Sequence, residues 1–260
     1  MHIRQIIGAL EDFAPLALQD SYDNAGLQIG LTKDAETSGV LLCLDVTEEV
    51  IDEAIGLGCN MIVSHHPLLF SPVKSISGRN YIERCVIKAI KNDITIYAAH
   101  TNLDSAKGGV NYKIAEKLGL DNIEWLRQKE GTDAGEGIIG TLPAPMQKTE
   151  FLKLVKDTFG TEALRFSDWE GQNISRVAVC GGAGNFLIPA AIKQRCDAFI
   201  TGEIGYHRFF GHETEILLLE LGHYESEKYT VEILHDIIRN ISPNVPIYVT
   251  KLKTNPINYL

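Results

Sequence analysis

The chain alternates short, wholly apolar runs with segments whose apolar residues recur at helical spacing. Residues 39–46, "GVLLCLDV", predict a buried strand, and the following "TEEVIDEAIGLG" predicts a helix that Thr47 caps and a glycine ends. The strand "NMIVSHH", a helix over 80–93 and the strand "ITIYAAHTNLD" come next. This order of elements predicts right-handed crossovers and a parallel α/β sheet.

A second set of elements follows the polar, glycine-rich stretch 127–140, where we place a domain boundary. Beyond it the strands "EGIIGTL", "ISRVAVC", "DAFITGE" and "TEILLLEL" are joined by helical segments. We therefore predict an α/β protein of two domains, residues 1–126 and 127–227. The chain end, 228–260, is expected to pack back onto the first domain.

The composition is that of an acidic globular protein. The 260 residues carry a formal net charge of −10, which argues against nucleic acid as the main partner because phosphate binding favours a basic surface. The five cysteines are scattered, and none forms a Cys-x-x-Cys pair, so a reducing compartment is expected. The sequence has neither a secretory signal nor an apolar run of the ~18 residues that span a bilayer. These features predict a cytoplasmic protein with no membrane partner.

Polar residues of one chemical kind gather where three of the predicted strands end. His65 and His66 follow "NMIV", His100 and Asp104 follow "ITIYAA", and the segment "GHYESE" at 222–227 follows "EILLLEL". Ligands of parallel α/β sheets bind at the carboxyl ends of the strands. Imidazole and carboxylate groups together suit divalent zinc, iron, manganese, nickel or cobalt. The sequence thus predicts a metal site at these ends.

The spacing within each motif adds detail to this hypothesis. Side chains alternate along extended chain, and Pro67 keeps His66 extended, so His65 and His66 should point apart and touch two different ions. Asp104 could then bridge those ions. His223 and Glu227 are four residues apart, so they would share one face if that stretch is helical.

Each motif alone also has a structural interpretation. The paired histidines could belong to a turn, His100 could be a satisfied strand-end residue, and Asp104 could cap the next helix. The loop "CGGAGN" at 180–185 could be either an anion-binding nest or a tight turn. His207 could form the wall of a metal pocket or lie in the core or on the surface. The joint occurrence of the motifs at three strand ends favours the metal site.

In this order the motifs resemble the GTP cyclohydrolase I type 2 homologue family, the Nif-three-like proteins. The resemblance covers nearly the whole chain. It is carried by the segments "YDNAGLQIG", "LLCLDVTEEVIDEA", "VSHHPLLF", "AHTNLD", "GIIGTLP", "VAVCGGAG", "DAFITGEIGYH" and "GHYESE". It implies a Nif-three-like fold of two α/β domains with layered α/β/α sheets, and a toroidal homohexamer. The inserted middle domain that some members carry is absent.

The resemblance also implies two divalent metal ions in each subunit. Their ligands would be the residues at the three strand ends, with His100 beside them: His65, His66, Asp104, His223 and Glu227. Two metal ions favour hydrolysis, with His100 or His207 moving protons. The implied substrate is GTP, opened and reclosed to dihydroneopterin triphosphate, or another nucleotide or phosphoester. The alternative is a non-catalytic protein: a metal store, a metal-delivery protein or a regulatory ring-shaped scaffold.

Overall fold

The computed structural model describes residues 1–30 and 35–260. The helices are α1 (Ile3–Phe13), α2 (Glu48–Gly56), α3 (Tyr81–Lys91), α4 (Thr101–Ser105), α5 (Val110–Lys117), α6 (Lys148–Phe159), α7 (Ile188–Lys193), α8 (His223–Glu227) and α9 (Thr230–Ile241). The strands are β1 (Gly26–Ile29), β2 (Val40–Cys43), β3 (Met61–Ser64), β4 (Thr95–Ala98), β5 (Asp121–Gln128), β6 (Gly135–Gln147), β7 (Arg165–Phe166), β8 (Asn173–Cys180), β9 (Ala198–Thr201), β10 (Leu217–Glu220) and β11 (Ile247–Val249).

The chain divides into two compact units. The first comprises Met1–Leu103 and Thr230–Pro256, and the second comprises Asp104–Tyr229 and Ile257–Leu260. The division falls earlier than the predicted boundary after residue 126. The reason is that α5 packs on β6 and β8, and β5 pairs with β6, so residues 104–126 belong with the second sheet.

The first unit is built on a five-stranded sheet in the order β1-β4-β3-β2-β11. All neighbours are parallel except β1, which pairs antiparallel with β4. β2, β3 and β4 are buried along their whole length, as their continuous apolar sequences predict. The apolar residues of α2 and α3 form one core with alternate residues of these strands. The Thr47 hydroxyl accepts a hydrogen bond from the Val50 N–H at 3.3 Å, which confirms the predicted cap of α2.

The central strands of this sheet end at the same level. Cys43 lies opposite Ser64 in the register, and Ser64 lies opposite Ala98. The residues that follow β2, β3 and β4 therefore leave the sheet at one edge. This register places the histidine-containing segments of the first unit close together.

The second unit contains a six-stranded sheet in the order β5-β6-β8-β9-β10-β7. β8, β9 and β10 are parallel, and the other pairs are antiparallel. Buried residues of β8, β9, β10 and α7 make its core. As in the first unit, the polar segments with candidate site residues follow the parallel strands.

The stretch 127–140, where the sequence predicts a domain boundary, is part of a hairpin within the second unit. β5 and β6 pair across it, with Trp125 opposite Ile138 and Gln128 opposite Gly135. The glycines serve packing here: a Cβ on Gly135 would lie 2.5 Å from the Trp125 ring. A glycine-rich, polar sequence can therefore be a tight hairpin as well as a linker.

Two further predictions concern composition and the membrane. All five cysteines are buried free thiols, in line with their apolar sequence contexts. Within residues 1–30 and 35–260 no helix is both long enough and apolar enough to cross a membrane.

Candidate metal centre

Three histidines of the first unit form a compact group. His65 and His66 follow β3, and His100 follows β4, at the common edge of the sheet. Their ring centroids are 4.9 Å apart for the pair His65–His66, 5.3 Å for His65–His100 and 5.4 Å for His66–His100. One nitrogen from each ring lies within 4.8 Å of the others, so the group could hold a metal ion.

The orientation of His65 and His66 differs from the prediction that they point apart. β3 ends at Ser64, so both histidines lie in a bend where strand alternation no longer applies. The Ser64 hydroxyl donates to the His66 carbonyl at 2.8 Å and holds this bend. One ion could therefore be reached by both rings.

Each of the three rings is oriented by a hydrogen bond at Nδ1. For His65 the partner is the Ala99 carbonyl, for His66 a carboxylate oxygen of Asp45, and for His100 a carboxylate oxygen of Asp23, each at 2.7 Å. A bond at Nδ1 fixes the tautomer that presents Nε2 as the ligand atom, which is the usual outer arrangement of metal-binding histidines. The donor set of this group thus fits a divalent transition metal.

The two aspartates are held in the ionised form. Burial would raise the pKa of Asp23, but hydrogen bonds from His100 and Thr101 outweigh it and hold the pKa at about 2. Burial also acts on Asp45, and hydrogen bonds from His66 and Thr254 likewise lower its pKa. Both carboxylates can therefore accept an imidazole N–H throughout the neutral range.

The second unit carries its own group of candidate ligands. His223 and Glu227 lie one turn apart on α8, and His223 Nε2 is 3.1 Å from a Glu227 carboxylate oxygen. The other ring nitrogen, Nδ1, is 2.8 Å from a Glu203 oxygen. A carboxylate oxygen of Asp104 lies within 4.8 Å of one of Glu227. The structure therefore brings Asp104, His223 and Glu227 together.

The glycine loop at 180–185 supports this group. The N–H groups of its three glycines are taken by side chains and are not available to an anion: Gly181 donates to Asn111 at 3.0 Å, Gly182 to Ser226 at 3.0 Å and Gly184 to Thr201 at 2.9 Å. The same Ser226 hydroxyl donates to the His223 carbonyl at 2.8 Å. The Asn111 amide donates to the Asp104 carbonyl at 3.0 Å. The loop thereby ties the segments that carry the three ligands.

Close backbone approach explains why glycine occupies this loop. Gly182 has a φ of +59°, and a Cβ there would lie 2.4 Å from Glu227 Oε1 and 3.3 Å from His223 Cε1. A Cβ on Gly202 would lie 2.6 Å from the Gly182 carbonyl oxygen and 3.0 Å from His223 Cα. The backbone position of α8 therefore depends on Gly202, and the place of the Glu227 carboxylate depends on Gly182.

Two other residues near these segments fall outside the groups. Burial, with the charges of Asp104 and Glu227, raises the pKa of Cys180 so far that its thiol stays protonated at neutral pH. His207 lies in the exposed turn Tyr206–Phe209, and its ring contacts Tyr206 and Phe210. Among the described residues, His207 belongs to none of the groups that could hold a metal ion.

Asp23 and Asp45 are the functional candidates that sequence reasoning missed. Asp23 lies 77 positions before His100, and Asp45 lies 21 positions before His66. A signal existed for Asp45, because it follows β2 at the same edge of the sheet. Asp23 lies in the "YDNAGLQIG" segment of the resemblance, which by itself indicates no contact with a histidine.

Known proteins match the chain over nearly its full length. The family model described as Duf34/NIF3 (NGG1p interacting factor 3) matches residues 1–256. A Clostridium acetobutylicum protein named GTP cyclohydrolase 1 type 2 homolog is 34% identical over 266 residues, which cover 100% of this chain and 99% of that protein. A Drosophila melanogaster protein, NIF3-like protein 1, is 27% identical, with 97% of this chain and 87% of that protein covered.

Solved structures agree with these matches. A Bacillus cereus protein related to NIF3 has a TM-score of 0.88 at 28% identity, covering 100% of this chain and 99% of that one. Reduced HcgD from Methanocaldococcus jannaschii has a TM-score of 0.80 at 28% identity, with 97% and 98% covered. The mixed α/β fold and the resemblance found in the sequence are both confirmed. The chain belongs to the Duf34/NIF3 family.

Proposed function

We propose that this protein binds two divalent metal ions and uses them for hydrolysis. The proposed ligands come from both groups described above: His65, His66, Asp104, His223 and Glu227. The observation that carries the proposal is the hydrogen bond at Nδ1 of each histidine in the first group, with a carboxylate at His66 and His100. Such bonds orient rings for metal binding, and a turn or a surface histidine has no need of them.

The chain connects the two groups directly. His100 immediately precedes α4, and Asp104 lies on that helix four residues later. Asp104 would hold an ion together with Glu227, because their carboxylate oxygens lie within 4.8 Å of each other. Relatives named GTP cyclohydrolase 1 type 2 homolog add support for a hydrolytic reaction on a nucleotide.

The residues around the ligands define what the protein itself contributes. When bound, a divalent ion polarises an attacked group and lowers the pKa of coordinated water to about 7. Asp23 and Asp45 keep their imidazoles in one tautomer, and Glu203 does the same for His223. The protein thus supplies a preorganised set of donors that costs little reorganisation on loading.

Proton transfer is assigned to His100 and His207 as part of the proposal. Asp23 holds the proton at Nδ1 of His100, so Nε2 is the atom that would exchange a proton or act as a further ligand. His207 is exposed on its turn and would reach a substrate from the surface. The His100→Ala variant separates the two roles of His100: metal content falls if it is a ligand, and only turnover falls if it transfers protons.

The substrate and the assembly are further parts of the proposal. A small molecule, GTP or another nucleotide or phosphoester, is the expected substrate, and ring opening of GTP to dihydroneopterin triphosphate is the specific reaction to test. We also expect a homohexamer. Light scattering at low micromolar concentration then gives a mass near six subunits, and a clean monomer would refute that expectation.

A non-catalytic role is the second candidate: metal storage, metal delivery or a regulatory ring-shaped scaffold. The same donors would serve it, because holding an ion needs no substrate. Metal content and turnover distinguish the two functions when measured on the same samples.

The test compares the wild type with His65→Ala and with His235→Ala. His235 is a histidine on α9 whose ring contacts Asp236, outside both ligand groups, and it serves as the matched control. Metal content is measured first, and hydrolysis of nucleotides and phosphoesters second. We expect His65→Ala alone to lose both. Equal turnover in all three proteins would remove the catalytic proposal, and equal metal content would remove the metal site.

A further inference from the structure

Two aromatic side chains lie exposed beside the histidine group of the first unit. Tyr22 is 65% exposed and Phe70 is 47% exposed. Their ring centroids are 6.4 Å apart in an edge-to-face arrangement. We call this pair the aromatic wall. Large aromatic side chains bury much area when they can, so two adjacent exposed rings need an explanation.

The aromatic wall adjoins the candidate metal ligands. The Phe70 ring is 6.0 Å from the His100 ring, with the two planes at 83°. His100 in turn lies against His65 and His66. A molecule that rests on Phe70 would therefore lie beside His100 and near the other two histidines of the group.

The wall is held in place although it is exposed. The Asn24 amide donates to the Leu69 carbonyl at 2.7 Å, and the Leu69 N–H donates to the Gln28 side chain at 3.1 Å. The Gln28 amide closes the set by donating to the Asn24 carbonyl at 2.6 Å. The Tyr22 hydroxyl donates to Asp20 at 3.0 Å. These bonds fix the segments on either side, so a ligand would meet preorganised rings.

We infer that Tyr22 and Phe70 bind a flat, conjugated ring of the substrate, one by stacking and the other by contact with its edge, and so place the substrate at the histidine group. The inference rests on the proposed function and adds the residues that recognise the ring. Stacking suits exposed, fixed aromatic rings because it needs an open face and no deep pocket. It tolerates different bases, since every base has a conjugated face. Nucleobases and related heteroaromatic rings are the class of ligand expected.

The test measures ring preference in the zinc-loaded full-length protein. Binding of guanosine 5′-monophosphate is compared with binding of ribose 5-phosphate, which has the sugar and phosphate but no base. The wild type should prefer the nucleotide by about tenfold or more. Phe70→Ala and Tyr22→Ala should each lose most of this preference. Phe70→Trp should keep it, and Phe70→Leu, which is apolar but has no aromatic ring, should not.

Tyr248→Ala is the matched control, because Tyr248 is 38% exposed on the edge strand β11 of the same unit. It should bind both probes like the wild type. Equal affinity of the wild type for the two probes would overturn the inference, as would an unchanged preference in both alanine variants. Loss of oligomer mass in Phe70→Ala with its ring preference intact would also overturn it, since the wall would then contact a second copy of the chain.

Zinc binding is measured separately for every variant. A wild type that binds zinc and shows no ring preference overturns this inference alone. A wild type that binds no zinc overturns the proposed function itself. Zinc affinity should be unchanged in Phe70→Ala, because the phenylalanine contributes no ligand atom.

Discussion

Replacing Gly182 with alanine should weaken metal binding while the protein still folds. The new Cβ would lie 2.4 Å from Glu227 Oε1, closer than non-bonded atoms can approach. The atom it meets is the far end of a flexible side chain, so the carboxylate would swing away and the backbone would stay. The substitution therefore displaces one proposed ligand and leaves its helix, α8, in place.

The magnitudes of the two effects follow from different causes. Gly182 has a φ of +59°, and an L-residue in the left-handed region costs ~1–2 kcal/mol of folding free energy. Displacing a ligand or its support lowers metal affinity by about 10–100-fold in metal sites. We expect Gly182→Ala to show both losses. Gly119→Ala, at a φ of +65° with no atom within 4 Å of its Cβ, should show only the first.

Zinc titration followed by calorimetry measures the affinity, and urea denaturation of the metal-free proteins measures the stability. Both variants should lose a similar free energy of unfolding. Zinc affinity should fall in Gly182→Ala and match the wild type in Gly119→Ala. Wild-type affinity in Gly182→Ala would refute the role of Glu227 as a ligand, since its carboxylate cannot keep its place beside a new methyl group.

Three further changes test other parts of the structure. Asp45→Asn replaces the carboxylate at Nδ1 of the proposed ligand His66 with a neutral amide and should lower zinc affinity by about 10–100-fold, whereas the exposed Asp12→Asn should not; equal affinities would contradict this role. Glu83 accepts N–H bonds from Ser77 and Arg79 that lower its pKa to about 2. A carboxylate with a lowered pKa stabilises the fold at pH values above its unfolded pKa of about 4.5, so Glu83→Gln should be less stable than the wild type at pH 7. The difference in free energy of unfolding should vanish as the pH falls towards 2. A difference that does not change with pH would exclude the charge of Glu83 as its cause. Phe199→Ala should lower the free energy of unfolding by ~3–5 kcal/mol in urea denaturation, because the side chain is fully buried. Phe186 is 49% exposed, so Phe186→Ala should lower it by less than about 1 kcal/mol. Similar losses in the two variants would contradict the described core.

The grouping of the candidate ligands could be predicted from the sequence because their chemistry and their positions agree. His65, His66 and His100 follow apolar runs long enough to be strands and too short to be spanning helices. The carboxyl ends of parallel strands lie at one edge of a sheet whatever the order of the strands. The grouping of these histidines could therefore be expected before the strand order was known. The helical spacing of His223 and Glu227 needed only one turn of α8.

The hydrogen-bond partners of these candidate ligands could not be predicted in the same way. The contact between Asp23 and His100 depends on the antiparallel pairing of β1 with β4, which no local sequence pattern predicts. The end of β4 at Ala98 also depends on Asp23. Its carboxylate accepts the Thr101 N–H at 3.1 Å, and the Asn102 side chain accepts the His100 N–H at 2.9 Å, so "HTNLD" turns into α4 instead of extending the strand. Tertiary contacts outweighed local propensity here.

The hairpin of β5 and β6 was missed for a related reason. Its glycines and charges indicate a domain boundary when they are considered without Trp125. Only the pairing shows that Gly135 makes room for the indole ring. A pattern of glycines indicates where the backbone lies close to another group, and it does not identify that group.

The positions of bound metal ions provide the most direct test of the proposed two-metal centre. Crystals of the wild-type protein loaded with zinc should be measured at the zinc absorption edge. We expect two anomalous peaks per chain about 3.5–4 Å apart, with ligands drawn from both groups: His65, His66, Asp104, His223 and Glu227. A single peak bound by one group alone, or no peak near these residues, would contradict it.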